Sequence, residues 1–162
     1  MNIVFLDIDG VLNSTRWAAF TDPATGKPRG YGGPWKKDYR LDPECVARLQ
    51  RLCTETEAHI VVSSTWRIGG SLMFFREMFA HYGWADALVL DKTPQSRNGF
   101  RGDEVRGWLS IYEGVGVDRF VILDDNSDFH DDQRPFFVQT DYAVGLTDAD
   151  AQHAISILRG EA

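Results

Sequence analysis

Short uninterrupted apolar runs alternate along the chain with longer stretches in which apolar residues return every three or four positions. Ile3-Val4-Phe5-Leu6 is the first run and ends in Asp7, which predicts a strand covered on both faces. Ile60-Val61-Val62, Ala87-Leu88-Val89-Leu90, Phe120-Val121-Ile122-Leu123 and Phe136-Phe137-Val138 read as four more strands. Between them lie helical patterns. Asp42-Pro43 is an N-cap followed by proline at the first helical position, with Val46, Leu49, Leu52 and Cys53 on one stripe. Ser71 caps a helix burying Leu72, Phe75, Met78 and Phe79, and a further helix carries Val105, Trp108, Leu109 and Tyr112. Thr147 opens the last one, with Asp150 closing a capping box and Ala151, Ala154, Ile155 and Leu158 buried.

Strands alternating with helices predict βαβ units: a three-layer Rossmann-like α/β fold, its parallel sheet of about five strands covered by helices on both faces. Ligands of such sheets bind at the carboxyl ends of the strands. The first, second and fourth strands end in Asp7, Ser63-Ser64 and Asp124-Asp125, so polar groups from three strands meet at one edge. That edge is the candidate site.

One segment breaks the rhythm. Ser14 to Arg40 has no period, four glycines, three prolines and the aromatics Trp17, Phe20, Tyr31, Trp35 and Tyr39. Its net charge is +4, from Arg16, Lys27, Arg29, Lys36, Lys37 and Arg40 against Asp22 and Asp38. The whole chain carries −7, so the remainder carries −11. A loop of this length in a compact domain points to function or disorder. It follows Asp7 and Asp9 directly and is expected to overhang the site as a flap over residues 14–40 of a single domain spanning 1–162.

Composition narrows the classes. Apolar residues are 43% and charged residues 25% of 162, the balance of a folded globular chain rather than a disordered one. The acidic net charge offers no global field for duplex DNA. No apolar run nears the ~20 residues that span a bilayer. The first residues carry Asp7 and Asp9 where a signal peptide would be apolar, so a cytoplasmic location is expected. Cys45 and Cys53, eight residues apart on one helix, would stand about 12 Å from each other, beyond disulfide reach.

The sharpest signal is Asp7-Ile8-Asp9-Gly10-Val11-Leu12-Asn13. Strand geometry sends Asp7 and Asp9 to one side, and Gly10 permits a tight exit. One carboxylate can attack phosphorus while the other protonates the leaving oxygen and later activates water. Two bare carboxylates would repel a phosphate, so a divalent cation must bridge them. An all-oxygen donor set completed by Asp124 and Asp125 points to Mg²⁺.

This pattern resembles the haloacid dehalogenase (HAD) superfamily: DxDG, a strand ending in Ser/Thr, a basic residue at a helix start, then a strand ending in Asp-Asp. Ser63-Ser64-Thr65-Trp66-Arg67, Arg101-Gly102-Asp103-Glu104-Val105 with Trp108-Leu109, and Gly145-Leu146-Thr147 resemble the HAD domains of RNA-repair proteins. The resemblance implies Asp7 as nucleophile and Asp9 as general acid/base, with the Asp9 carbonyl as a metal ligand. It implies a phosphate contact from the second strand's end: counting back from Trp66 selects Ser64, counting along the apolar run selects Ser63. The family's cation fits Arg101, with Lys92 as the alternative. Asp125 is the expected direct metal ligand, Asp124 stands beside it, and Asp128 supports them.

The expected activity is a Mg²⁺-dependent phosphatase working through an aspartyl phosphate. Without a large cap, an open site would accept phosphorylated substrates such as single-stranded nucleic-acid ends or nucleotides. Dehalogenation has no use for Asp9, and mutases call for a larger cap. The alternative from another class is a non-catalytic module that holds a phosphorylated end for a partner enzyme.

Overall fold

A computed structural model describes residues 1–32, 39–114 and 116–161. Five parallel strands form one sheet in the order β3-β2-β1-β4-β5: β1 (Asn2–Leu6), β2 (His59–Val62), β3 (Val89–Lys92), β4 (Arg119–Asp124) and β5 (Phe137–Gln139). The strand at Ala87-Leu90 lies two residues further on than its apolar run predicts, and the last strand is offset by one. No large cap domain is present among the described residues.

β1 is central because it is apolar on both sides. Val4 and Leu6 pack into one cluster with Ile60, Val62, Val121 and Leu123, while Ile3 and Phe5 join Val61 and Ile122 in another. The first cluster is covered by α2 (Pro43–Thr56), α3 (Leu72–His81) and α5 (Asp148–Arg159), the second by α4 (Arg101–Ile111) through Val105 and Trp108. The caps act as the sequence predicts. Asp42 accepts from the Glu44 amide, Ser71 from Phe74, and Thr147 with Asp150 forms the reciprocal box. Both cysteines are free and buried in α2. No described helix is long and apolar enough to cross a membrane.

Register places the site. Leu6 pairs with Val62 on one side and Leu123 on the other, so the next residues, Asp7, Ser63 and Asp124, leave the sheet side by side. The Asp7 amide donates to the Leu123 carbonyl (2.9 Å) and the Ser63 amide to that of Leu6 (2.9 Å), which holds the three strand ends together past the last pair.

The segment after β1 is more ordered than its lack of period suggests. Ser14 caps a short helix, α1 (Thr15–Ala19), by accepting from the Trp17 amide. Thr21 and Pro28 form an isolated antiparallel bridge. Trp35, Lys36 and Lys37 lie outside the described residues.

Candidate active site

Asp7 is 5% exposed at the end of β1, and its Oδ1 accepts from the Ile8 amide (2.8 Å). Oxygens of Asp7, Asp124 and Asp125 lie within 4.8 Å of one another. Gly10 makes this approach possible. Its φ is +74°, and a Cβ there would sit 2.6 Å from Asp125 Cγ, so only glycine lets the chain turn against that carboxylate.

Arg101, first residue of α4, supplies the opposing charge. Its Nη1 donates to the Ser63 carbonyl (2.6 Å) and stands 3.1 Å from Asp124 Oδ2 and 3.6 Å from Asp7 Oδ1. Phe100, at the N-cap, offers no capping side chain; Asp128 acts instead, its Oδ2 accepting from the Arg101 amide (3.1 Å) and its carbonyl from that of Gly102 (3.0 Å). Asp128 therefore supports the site through the arginine. Lys92 is directed elsewhere, its Nζ donating to the carbonyls of Arg67 (3.0 Å) and Gly70 (2.7 Å).

The two serines divide. Ser64 Oγ hydrogen-bonds to Asp7 and accepts from the Trp66 amide (3.3 Å). Ser63 is fully buried, its carbonyl taken by Arg101 and Arg67 and its Oγ without a partner. Geometry thus puts the Ser64 hydroxyl against the predicted nucleophile.

Asp9 stands outside the three-carboxylate cluster. Asn13 Nδ2 donates to its Oδ1 (2.7 Å) and Trp66 Nε1 to its Oδ2 (2.9 Å). Asn13 Oδ1 also accepts from the Gly10 amide (3.1 Å), so the loop after β1 is tied to the carboxylate it positions. Trp66, part of the Ser63–Arg67 motif, is both buried and a donor to the site.

Burial pushes the Asp7 carboxyl above the usual range, with Arg101 opposing. Burial and then the nearby Asp7 push Asp124 up to about 8, and the same two causes raise Asp125. Burial alone would lower Arg101, but Asp7, Asp124 and Glu104 hold it above its ordinary value. Asp124 Oδ2 receives no aligned hydrogen bond despite the nearby guanidinium. Three crowded carboxylates, one with a buried oxygen lacking a directed donor, fit a hard divalent cation held by oxygen.

A family model, the HAD domain in Swiss Army Knife RNA repair proteins, matches residues 3–151. The chain belongs to that family. No curated protein and no solved structure matches it. For a HAD domain, a phosphatase or phosphate-binding role follows at the general level. The match runs from β1 into α5 and so takes in every strand that contributes to the acidic edge.

Around this HAD site lie groups to which the sequence assigns no individual role. Arg67 is buried, with Nη1 donating to the carbonyls of Ser63 (2.7 Å) and Ser64 (2.8 Å) and Nε to that of Thr93 (3.2 Å). Glu104 receives Arg67 Nη2 at 2.6 Å and Arg101 Nε at 3.8 Å. The flap's aromatics also separate. Tyr39 is buried against Phe74 and His81, and Trp17 stacks near Phe20 beneath the Arg29 guanidinium. A cavity of about 820 Å³ between flap and α3 is lined by Trp17, Lys27, Arg29, Tyr39 and Arg40, with none of the acidic cluster in its wall.

Proposed function

We propose that this chain is a Mg²⁺-dependent phosphatase that hydrolyses phosphomonoesters through an aspartyl phosphate, with single-stranded nucleic-acid ends or nucleotides as substrates. The observation that carries this reading is the convergence of Asp7, Asp124 and Asp125 with Arg101 at the carboxyl ends of β1 and β4. An acidic cluster alone would repel a phosphate; a buried guanidinium facing two of its members gives the phosphoryl oxygens a cationic partner.

Asp7 attacks phosphorus, and the ester P–O bond breaks as the leaving oxygen takes a proton from Asp9. Asp9 then accepts a proton from water, which attacks phosphorus and breaks the Asp7–phosphate bond, releasing inorganic phosphate and the free carboxylate. Ser64 Oγ and Arg101 hold the phosphoryl oxygens through this exchange. The cation would be held by Asp7, Asp124 and Asp125, with the Asp9 carbonyl as a further ligand. When bound, it supplies charge neutralisation between carboxylate and phosphate.

The nucleic-acid substrate class is supported by the family's description and by the +4 charge of residues 14–40 in an otherwise acidic chain. Turnover of p-nitrophenyl phosphate with and without Mg²⁺ tests the reaction. The expected result is release that needs the cation and falls to background in Asp7→Asn, with no ³²P trapped on that variant. Binding of a phosphorylated end without any turnover would instead make the chain a phosphate-holding module.

A further inference from the structure

Two tyrosines from separate parts of the chain meet beside the acidic edge. Tyr31 comes from the flap and Tyr142 from the turn between β5 and α5; their rings are 25° from parallel with centroids 6.2 Å apart. Each is 45% exposed, so each ring keeps open surface although the two are neighbours. This contrasts with Tyr39, which is buried, and with Trp17, whose ring is covered by the Arg29 guanidinium.

The pair is built in place by hydrogen bonds. The Tyr31 hydroxyl donates to Thr15 Oγ1 (3.2 Å), and the Thr15 and Arg16 amides donate to the carbonyls of Tyr142 (3.1 Å) and Ala143 (3.1 Å). On the other side, Thr140 Oγ1 donates to the Gly10 carbonyl (2.8 Å) and the Leu146 amide to that of Val11 (2.8 Å). The turn bearing Tyr142 is thus clamped at both ends to the loop that follows Asp9. The Tyr142 phenol, hydrogen-bonded to Tyr31, is pushed up to about 12, and the charges of Asp9 and Asp125 act on it. It stays neutral at physiological pH and lies within electrostatic reach of the site.

We infer that Tyr31 and Tyr142 form a stacking subsite for the nucleobase adjoining the phosphate, which makes them specificity-determining residues; this rests on the nucleic-acid-end reading above. The surroundings favour a base over other groups. The acidic residues nearby disfavour a second anion, and a bare alkyl ester would leave two exposed rings unused. An aromatic platform accepts any base by its face, as an end-processing site requires.

The test compares a single-stranded oligoribonucleotide bearing a terminal phosphate with the same oligonucleotide made abasic at that end, and with glycerol phosphate. Tyr142→Ala should raise KM for the first about tenfold, leave kcat within about twofold, and leave the two baseless substrates unchanged. Tyr142→Phe, which keeps the ring and loses the phenol contact, should retain the wild-type KM; a purely structural link between flap and turn would instead be weakened in both variants. Equal KM values of the wild type for the intact and abasic oligonucleotides would overturn the subsite. Absence of turnover on every ester would overturn the phosphatase reading separately. Fluorescence anisotropy of the two oligonucleotides in chelator then decides the subsite, equal affinities refuting it and tighter binding of the intact one upholding it.

Discussion

Arg67 and Glu104 form an ion pair of 2.6 Å in which each side chain is only 5% exposed. Burial pulls the Arg67 guanidinium below its ordinary pKa, and Glu104 opposes that pull. Glu104 also faces Arg101, so one carboxylate balances two buried cations behind the site. Glu104→Ala leaves both without it, and the expected cost is about 3–5 kcal/mol, read as a lower urea midpoint. Glu104→Gln, which keeps the shape, should cost less. Equal midpoints for wild type and Glu104→Ala would refute the pairing.

Trp66→Phe should separate leaving groups. The substitution keeps an aromatic ring in the core but removes the donor that holds Asp9 Oδ2. Losing a hydrogen bond to a charged group is worth about 1.5–3 kcal/mol, so kcat on an alkyl phosphate should fall about tenfold or more. p-Nitrophenyl phosphate needs little help from an acid and should suffer less. Equal losses on both esters would detach Trp66 from the role of Asp9.

Gly10→Ala should act on the cation. The new Cβ would meet Asp125 Cγ at 2.6 Å in a left-handed backbone conformation, so Asp125 must move. The half-activating Mg²⁺ concentration is expected to rise on the order of tenfold, with the circular dichroism spectrum preserved. Asp125→Ala should shift it in the same direction, and the double variant should add little to either single change.

Asp7 and Asp124 titrate higher in the folded chain than unfolded, Asp124 at about 8 against 3.8. The native state therefore binds more protons between those values, and this cluster's contribution to stability falls as pH rises through that window. A cation that binds the ionised carboxylates reverses the trend. The rise in Tm on adding Mg²⁺ should be larger at pH 8 than at about pH 5.5 by thermal melts against chelator. A larger rise at the lower pH would refute the acidic cluster as the cation's site.

The sheet and its acidic edge were legible because both rest on local signals. Apolar runs of three or four residues ending in Asp or Ser identify strand ends, and parallel register then brings Asp7, Ser63 and Asp124 together without further information. The family resemblance, matched over residues 3–151, rests on the same short motifs. The choice between Arg101 and Lys92 was not legible, because both are basic residues near strand or helix ends and only packing shows Lys92 turned toward Arg67 and Gly70. The donors to Asp9 were half visible. Asn13 lies four residues on, within reach of a tight loop, whereas Trp66 is 57 residues away and its indole nitrogen leaves no periodic trace. Tyr142 carried no signal at all, since its importance comes from meeting a ring 111 positions earlier in the chain.

Asp124 ends β4, and the turn that follows contributes Asp125 and, three residues beyond it, the carboxylate that anchors the first amide of the helix bearing Arg101. Anion and cation are thereby mounted on a single short bracket. Lengthening that bracket by one residue would separate the opposing charges while leaving every strand pair intact. The distance from Asp125 to Asp128 is therefore a length the chain has little freedom to change, and Phe129, buried in the second core cluster, fixes its far end.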